Sequence, residues 1–491
     1  MHVVVVGAGI GGLSAAADLA RRGARVTVLE RAARPGGKMR QVMVDGAGID
    51  AGPTVFTMRW IFSGLFEDAG SRLEDFLQLR PAETLARHAW RAGGRLDLFA
   101  DVARSADAIG DFAGAAEARG YRDFVARSAA IYRTLEHSFI AAQRPSPLDL
   151  VRRVGLRNID ALWRTMPWAT LWQALGRHFA DPRLRQLFGR YATYCGCSPF
   201  LAPATLMLVA HVEQDGVWLV QGGMRRVAEA IQALAERQGA TFRFGAEVAG
   251  IAVERGRAAG VTLADGERIE ADAVLFNGDV AALAQGLLGP AARAAAPDTP
   301  RAERSLSAVT WCLRAPTAGF PLLHHNVFFA EDYAEEFDAV FRRRRIAAAP
   351  TVYLCAQDRG HGEVAAGATE RLLLLVNAPA DGDRGEPEFG DLQARSLALL
   401  RACGLEIGAT DDNTVTTTPA GFHRLFPGTG GALYGRASHG ATGTFARPGA
   451  ASMLPGLYLA GGSVHPGPGI PMAAMSGRLA AAKLLEDAAL R

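Results

Sequence analysis

Val3 to Val6 is an unbroken apolar run, and Arg25 to Leu29 is a second run rich in β-branched residues. Such short apolar runs predict strands buried on both faces of a parallel sheet. An Ala/Leu-rich stretch from about Leu13 to Arg22 separates them and predicts a helix. Past Arg40, Gln41 to Ile49 reads as a strand interrupted at Gly46 and Gly48. Ile61 to about Leu79 reads as a helix, with Phe62, Leu65, Phe66 and Leu73 as its apolar positions. His88 to Phe99 reads as a β-hairpin closed by Gly93-Gly94. Residues 102–190 carry helical patterns broken near Pro145-Ser146-Pro147 and Asp181-Pro182. From Val217 strands and helices alternate again: Trp218 to Val220, a helix through Arg237, then strands at 241–244, 250–254, 260–263 and 273–276. Strand signals at 307–313, 326–329, 352–354 and 371–376 follow. Leu457 to Ala460 is a last strand, leading through a Pro/Gly loop into a helix of small residues.

The turn between the first strand and helix is Gly7-Ala8-Gly9-Ile10-Gly11-Gly12. In a strand–turn–helix–strand setting Gly7 permits the bend, Gly9 lets backbone approach a pyrophosphate, and Gly12 lets helix pack on strand. Ile10 lies within this turn, and the helix N-terminus that follows it offers free N–H groups and a partial positive charge to phosphates. Glu30 closes the second strand where a carboxylate accepts hydrogen bonds from ribose hydroxyls. This is a dinucleotide site. Asp50-Ala51-Gly52-Pro53-Thr54 is a rigid turn whose backbone and hydroxyl suit a cofactor edge. Gly461-Gly462 and the Pro/Gly loop through His465 deliver a second helix N-terminus near Ile470 to Met472, whose backbone N–H groups suit a negative charge.

Charge and composition narrow the partners. The 491 residues carry 53 Lys+Arg against 50 Asp+Glu, a net charge of +3 that implies no nucleic acid. Nearly all the positive charge is Arg, with Lys only at 38 and 483. The five cysteines are scattered, and Cys195-Gly196-Cys197 has no second pair to complete a metal site, so no metal is expected. The acidic turn from Asp381 lacks a calcium-loop pattern, because Glu386 stands where that loop needs glycine. No apolar run reaches the roughly 18 residues of a membrane span, and no targeting segment precedes Val3, so a cytoplasmic location is expected. Val151 to Arg190 nevertheless holds eight Arg against Asp160 and Asp181, interleaved with Leu156, Leu162, Trp163, Met166, Trp168 and Trp172. Arg and Trp on an amphipathic helix suit a membrane interface. A solvated basic face on a core-packed helix is the competing reading. The Arg342–Arg345 run reads as a solvated face.

The chain resembles known flavoproteins. Arg34-Pro35-Gly36-Gly37-Lys38 after Glu30 is similar to the extension found in glutathione-reductase-like flavoproteins, notably the amine oxidase and phytoene desaturase families. Gly461-Gly462-Ser463-Val464-His465-Pro466-Gly467-Pro468-Gly469 resembles the bacterial-type phytoene dehydrogenase signature, with Val464 and Pro468 as slight departures. Gly-Pro-Thr-Val-Phe-Thr-Met-Arg from Gly52, Leu-Ala-Arg-His-Ala-Trp from Leu85 and Leu-Asp-Leu-Phe-Ala-Asp from Leu96 look like the 1-hydroxycarotenoid 3,4-desaturase branch. The resemblance implies an α/β fold with a discontinuous FAD-binding Rossmann domain, a mixed-sheet substrate domain and a helical, membrane-facing subdomain. Its parts are expected at 1–85, 216–285 and 426–491 for FAD, 86–101 and 286–425 for substrate, and 102–215 for the helical unit. It implies FAD along Gly37 and Lys38, with Val248 beside the adenine.

The implied activity is desaturation of an acyclic carotenoid in phototrophic bacteria, in spheroidene- or spirilloxanthin-type synthesis, by a protein lying on the cytoplasmic side of the inner or intracytoplasmic membrane. Oxygen or a quinone is the expected electron acceptor. His465 is a candidate proton acceptor, water or a substrate-domain carboxylate being the others. Three alternatives stay open: a phytoene desaturase or carotenoid isomerase of the same family, an amine-oxidase-like enzyme, and a flavin-free binding protein like the GDP-dissociation inhibitors.

Overall fold

Val3, Val4 and Val5 are fully buried because their strand runs through the middle of a five-stranded parallel sheet. A computed structural model describes every residue except 156, 157, 361–363, 366, 386–388 and 491, so Leu156 and Glu386 lie outside the described residues. The sheet order is Leu457–Leu459, Ala273–Phe276, His2–Val6, Arg25–Glu30, Thr241–Phe244. Val3 to Val6 pair with Ala273 to Phe276 on one side and Val26 to Leu29 on the other. Val3, Val5, Val26 and Val28 face one core, which the helices Ile10–Arg21, Arg225–Arg237 and Ile470–Ala489 cover. Val4, Val6 and Leu29 face another, closed by a small sheet of Val248–Glu254, Arg257–Leu263 and Arg268–Glu270. Both faces being dry, the strand has no polar position from Val3 to Val6.

Three distant parts of the chain thus build one layer. Helix Ile10–Arg21 and helix Ile470–Ala489 cross at glycines: a Cβ on Gly477 would lie 2.0 Å from the Gly11 carbonyl oxygen. Larger residues there would force the first and last helices apart.

A second sheet runs, in order, Glu406–Ile407, Ser307–Ala318, Thr369–Ala378, Val352–Ala356, His325–Phe329, Thr84–Trp90 and Arg95–Phe99, with Thr414–Thr417 paired to Ser307–Ala318 off that path. It is antiparallel except where His325–Phe329 runs parallel to Thr84–Trp90. The hairpin predicted at His88 to Phe99 therefore joins the sheet formed 220 residues later, turning through Gly93 (φ +97°) and Gly94 (φ +96°). Residues 102–214 form helices from Val102–Ala113 to Leu208–Gln214.

Two local expectations differ. The helix expected to Leu79 spans Arg59–Asp68 and ends at Ala69-Gly70, where Gly70 takes φ +70°; Leu79–Pro81 is instead a short strand on Trp218–Val220. Gln41 to Ile49 is a hairpin, Gln41–Val44 with Ala47–Asp50, because Asp45 and Gly46 both adopt positive φ. Val248 opens the small sheet.

Candidate active site

Where the parallel strands end, the glycine turns leave a cavity of about 1690 Å³. Gly7, Gly9 and Ile10 line it, and Gly9 caps helix Ile10–Arg21 in extended conformation. First-turn N–H groups of a helix have no intrahelical partner and so remain for an anion. Gly12 does not line the cavity: a Cβ there would sit 2.2 Å from the Gly7 carbonyl oxygen, so its part is helix–strand packing. Glu30 lines the cavity with its carboxylate fixed, Oε2 accepting from the Ala8 N–H and Oε1 from the Ala32 N–H, both at 2.8 Å. Each oxygen keeps a lone pair for a ribose hydroxyl.

The Pro-Gly-Gly turn folds back onto this motif. The Gly36 N–H donates to the Ala8 carbonyl, and a Cβ on Gly37 (φ +57°) would come within 3.3 Å of the Gly9 Cα. Lys38 follows, its Nζ 2.6 Å from the Leu433 carbonyl oxygen. Burial pushes the Lys38 ammonium below its ordinary pKa, with Asp279 opposing. Gly37, Lys38, Pro53, Thr54 and Val248 all line the cavity. From the opposite end of the chain so do Gly461, Gly462, Ile470 and Met472, and helix Ile470–Ala489 starts at Ile470 with Gly469 as its cap.

His465, the candidate proton acceptor, stands apart from these residues. It does not line the cavity; its Nε2 donates to the carbonyls of Phe139 (3.0 Å) and Ala142 (2.9 Å), and burial pushes it down to about 4. A ring whose N–H is committed to two carbonyls tethers the helical unit to the C-terminal loop.

Other contributors carry no motif in the sequence. Asn277, at the end of its strand, sits between both glycine turns: a Cβ on Gly9 or on Gly461 would meet its side chain at 2.8 and 2.7 Å. Arg447, 1% exposed, donates to the carbonyls of Gly462 (3.0 Å) and Tyr434 (2.9 Å). Thr54 Oγ1 lies 2.7 Å from the Tyr353 hydroxyl, itself 2.7 Å from His325 Nδ1. The Cys195–Cys197 loop carries thiols that burial raises to about 11 and about 12.

The same cavity is lined by Leu135, Phe139, Ile140, Leu150 and Leu162 of the helical unit. Helices Pro147–Val154 and Ile159–Arg164 bury none of their described residues. Trp163 and Trp168 are 71% and 51% exposed, with ring centroids 4.2 Å apart, and Leu148 and Ile159 stand exposed nearby. No helix among the described residues is long and apolar enough to cross a membrane. The Arg342–Arg345 run is paired to Asp338, Glu335 and Asp381.

The comparisons agree with this geometry. A family model, flavin containing amine oxidoreductase, matches residues 10–485. Hydroxyneurosporene desaturase of Rubrivivax gelatinosus is 58% identical over 488 residues, covering 99% of this chain and 93% of that protein. The protein of the same name from Cereibacter sphaeroides is 44% identical over 490 residues, covering 100% and 98%. The crystal structure of an oxidoreductase from Methanosarcina mazei superposes with a TM-score of 0.61 at 17% identity, covering 99% of this chain and 100% of that one, a likeness of fold. The chain belongs to the flavin-containing amine oxidoreductase family and is an oxidoreductase of the carotenoid desaturase kind, with FAD as cofactor. The glycine cradle, the fixed Glu30 carboxylate and two helix N-termini on one cavity are a donor set that fits this group.

Proposed function

We propose that this flavoprotein introduces the 3,4 double bond into an acyclic 1-hydroxycarotenoid while resting on a membrane surface. The observation that carries the reading is the cavity itself. One space is lined both by the dinucleotide turns and by Leu150 and Leu162 of the exposed helices Pro147–Val154 and Ile159–Arg164.

FAD, held by Gly7, Gly9, Ile10, Glu30, Lys38 and the Ile470 helix start, supplies a two-electron oxidant that no side chain provides. The remaining work falls to this chain. Leu135, Phe139, Ile140 and Leu162 exclude water and keep a stiff polyene in line. Thr54 and Tyr353 fix the wall where the apolar channel meets the cofactor turns. Trp163 and Trp168 hold the channel mouth at headgroup depth, so an insoluble substrate enters without crossing water.

Incubation of the holoenzyme with hydroxylated and non-hydroxylated carotenes, with an oxygen or quinone acceptor and identification of products, tests the reading. Dehydrogenation next to the hydroxylated end is expected. Conversion of phytoene alone would sink the assignment.

A further inference from the structure

Most of the channel wall is hydrocarbon, yet one stretch of it is charged. Arg190 and Glu213 both line the cavity and are 8% and 5% exposed. Arg190 opens the turn Arg190–Cys195, which follows helix Pro182–Gly189; Glu213 lies on helix Leu208–Gln214. The two are not simply neutralising each other. Glu213 Oε2 accepts from the Tyr191 hydroxyl at 2.8 Å and Oε1 from the Tyr194 hydroxyl at 2.6 Å. The Arg190 guanidinium instead stands over the Tyr194 ring, 4.9 Å from its centroid, and its Nε has no protein partner. An unpartnered donor on a buried cation is destabilising, and a pure hydrocarbon cannot relieve it. This polar group therefore points to a ligand with a polar atom.

The chemistry of the pair selects which. Guanidinium only donates and carboxylate only accepts. A carboxylate ligand would meet Glu213 and an ammonium would meet Arg190, each a like-charge contact in a dry wall. A ketone would satisfy Arg190 but offer Glu213 nothing. A neutral hydroxyl does both, accepting from Arg190 and donating to Glu213.

Location agrees. The turn Arg190–Cys195 ends at Gly196, where a Cβ would lie 2.5 Å from the Tyr434 ring, and the Tyr434 carbonyl accepts from Arg447 (2.9 Å), which also holds the Gly462 carbonyl of the C-terminal glycine turn (3.0 Å). The pair thus sits on the cofactor side of the channel. In a 1-hydroxycarotenoid the hydroxyl-bearing carbon is two carbons from the 3,4 bond, so an anchor for that hydroxyl belongs beside the cofactor and not at the distant mouth.

We propose that Arg190 and Glu213 form the recognition site for the tertiary hydroxyl of the substrate and set the enzyme's preference for hydroxylated over plain carotenes. This rests on the hydroxycarotenoid reading above. The hydroxyl accepts from the guanidinium and donates to the carboxylate, which places the adjacent carbons over the reacting position.

The test uses flavin-loaded wild type and the variants Arg190→Met and Tyr194→Phe, each checked for flavin content and melting temperature. Two quantities are read: binding of a hydroxylated acyclic carotene and of its non-hydroxylated counterpart, by quenching of tryptophan fluorescence, and kcat/KM for the same pair. Wild type is expected to prefer the hydroxylated carotene. Arg190→Met is expected to weaken that ligand by about ten- to a hundred-fold, as for loss of a charged hydrogen bond, leaving the plain carotene unchanged. Tyr194→Phe, which keeps the ring, is expected to move the preference the same way by a smaller factor, and it carries the test if Arg190→Met does not fold. A wild type with no preference overturns the hydroxycarotenoid reading and this proposal with it. A wild-type preference that both folded variants keep, or an equal loss on both ligands, overturns the proposal alone.

Discussion

At the scale of single residues, the structure separates groups that meet the cavity from groups that hold it in shape. His465 belongs to the second kind. Its imidazole donates to the ends of a helical turn at Phe139 and Ala142, and burial depresses it to about 4 against an ordinary 6.5. The unfolded chain takes up a proton on this ring below about 6.5, while the folded chain does so only below about 4. Its contribution to stability is therefore full above 6.5 and is lost as the pH falls through that interval. Removing the ring removes two tethers. His465→Ala is expected to melt at lower temperature at pH 7, to show a shallower fall of stability between pH 6.5 and 4, and to keep flavin-normalised turnover within about two-fold. Loss of turnover with an altered pH–rate profile, at full flavin content, would show that histidine takes the proton after all. His88, driven down to about 3, and His439, to about 4, titrate in the same sense, so the variant flattens the curve only in part.

At the scale of elements, the helices at 147–164 put two demands on the same surface. Both bury none of their described residues, and Leu150 and Leu162 line the channel from inside while Leu148, Ile159, Trp163 and Trp168 face outward. A solvated basic face needs no exposed tryptophans, so the competing reading leaves those rings unexplained. The double variant Trp163→Ser/Trp168→Ser is expected to bind FAD as wild type does and to float with anionic phospholipid vesicles several-fold less, with turnover on vesicle-borne carotene falling in parallel. Unchanged flotation would place the membrane contact elsewhere. This stretch also shows what a sequence pattern resolves. The excess of Arg over acidic residues, with interleaved Trp, marks an amphipathic surface, and the exposed helices carry it. Of the seven such arginines among the described residues, however, only Arg190 is buried. Nothing local distinguishes it, because its burial follows from Tyr191, Tyr194 and Glu213 gathering around it, the last from a separate helix. The dinucleotide motif was legible for the opposite reason. Its glycines, strand and Glu30 meet within 30 residues, so spacing alone brings them together.

At the scale of the molecule, the site is assembled from both ends of the chain. Gly7 to Lys38 and Gly461 to Met472 face one cavity, and the helices that follow them touch at Gly11 and Gly477. The parallel strands at 2–6, 273–276 and 457–459, each ending in its own turn, could be grouped as one discontinuous domain through the resemblance to known flavoproteins. The parallel pairing of His325–Phe329 with Thr84–Trp90 could not, since no local signal sets the register of strands over 200 residues apart. An FAD spanning both turn motifs would contact segments far apart in sequence, act as a cross-link that the unfolded chain cannot engage, and so link folding to binding. At a free concentration a hundred times the dissociation constant the cofactor adds about 2.7 kcal/mol, and each further tenfold adds about 1.4 kcal/mol. The flavin-stripped protein is thus expected to melt lower than the holoenzyme and to recover stepwise as FAD is titrated in. Glu30→Gln keeps the side chain's shape but replaces one of the two acceptors of the Ala8 and Ala32 N–H groups by a donor and removes the charge, so its titration curve is expected to move to about tenfold higher FAD. Limited proteolysis reads where the linkage acts: cleavage in the 31–40 turn and in the 461–469 loop should slow together as FAD is added. Protection of the first turn without the second would mean that the cofactor engages only the N-terminal motif, and that the last helix is held by its glycine contact alone.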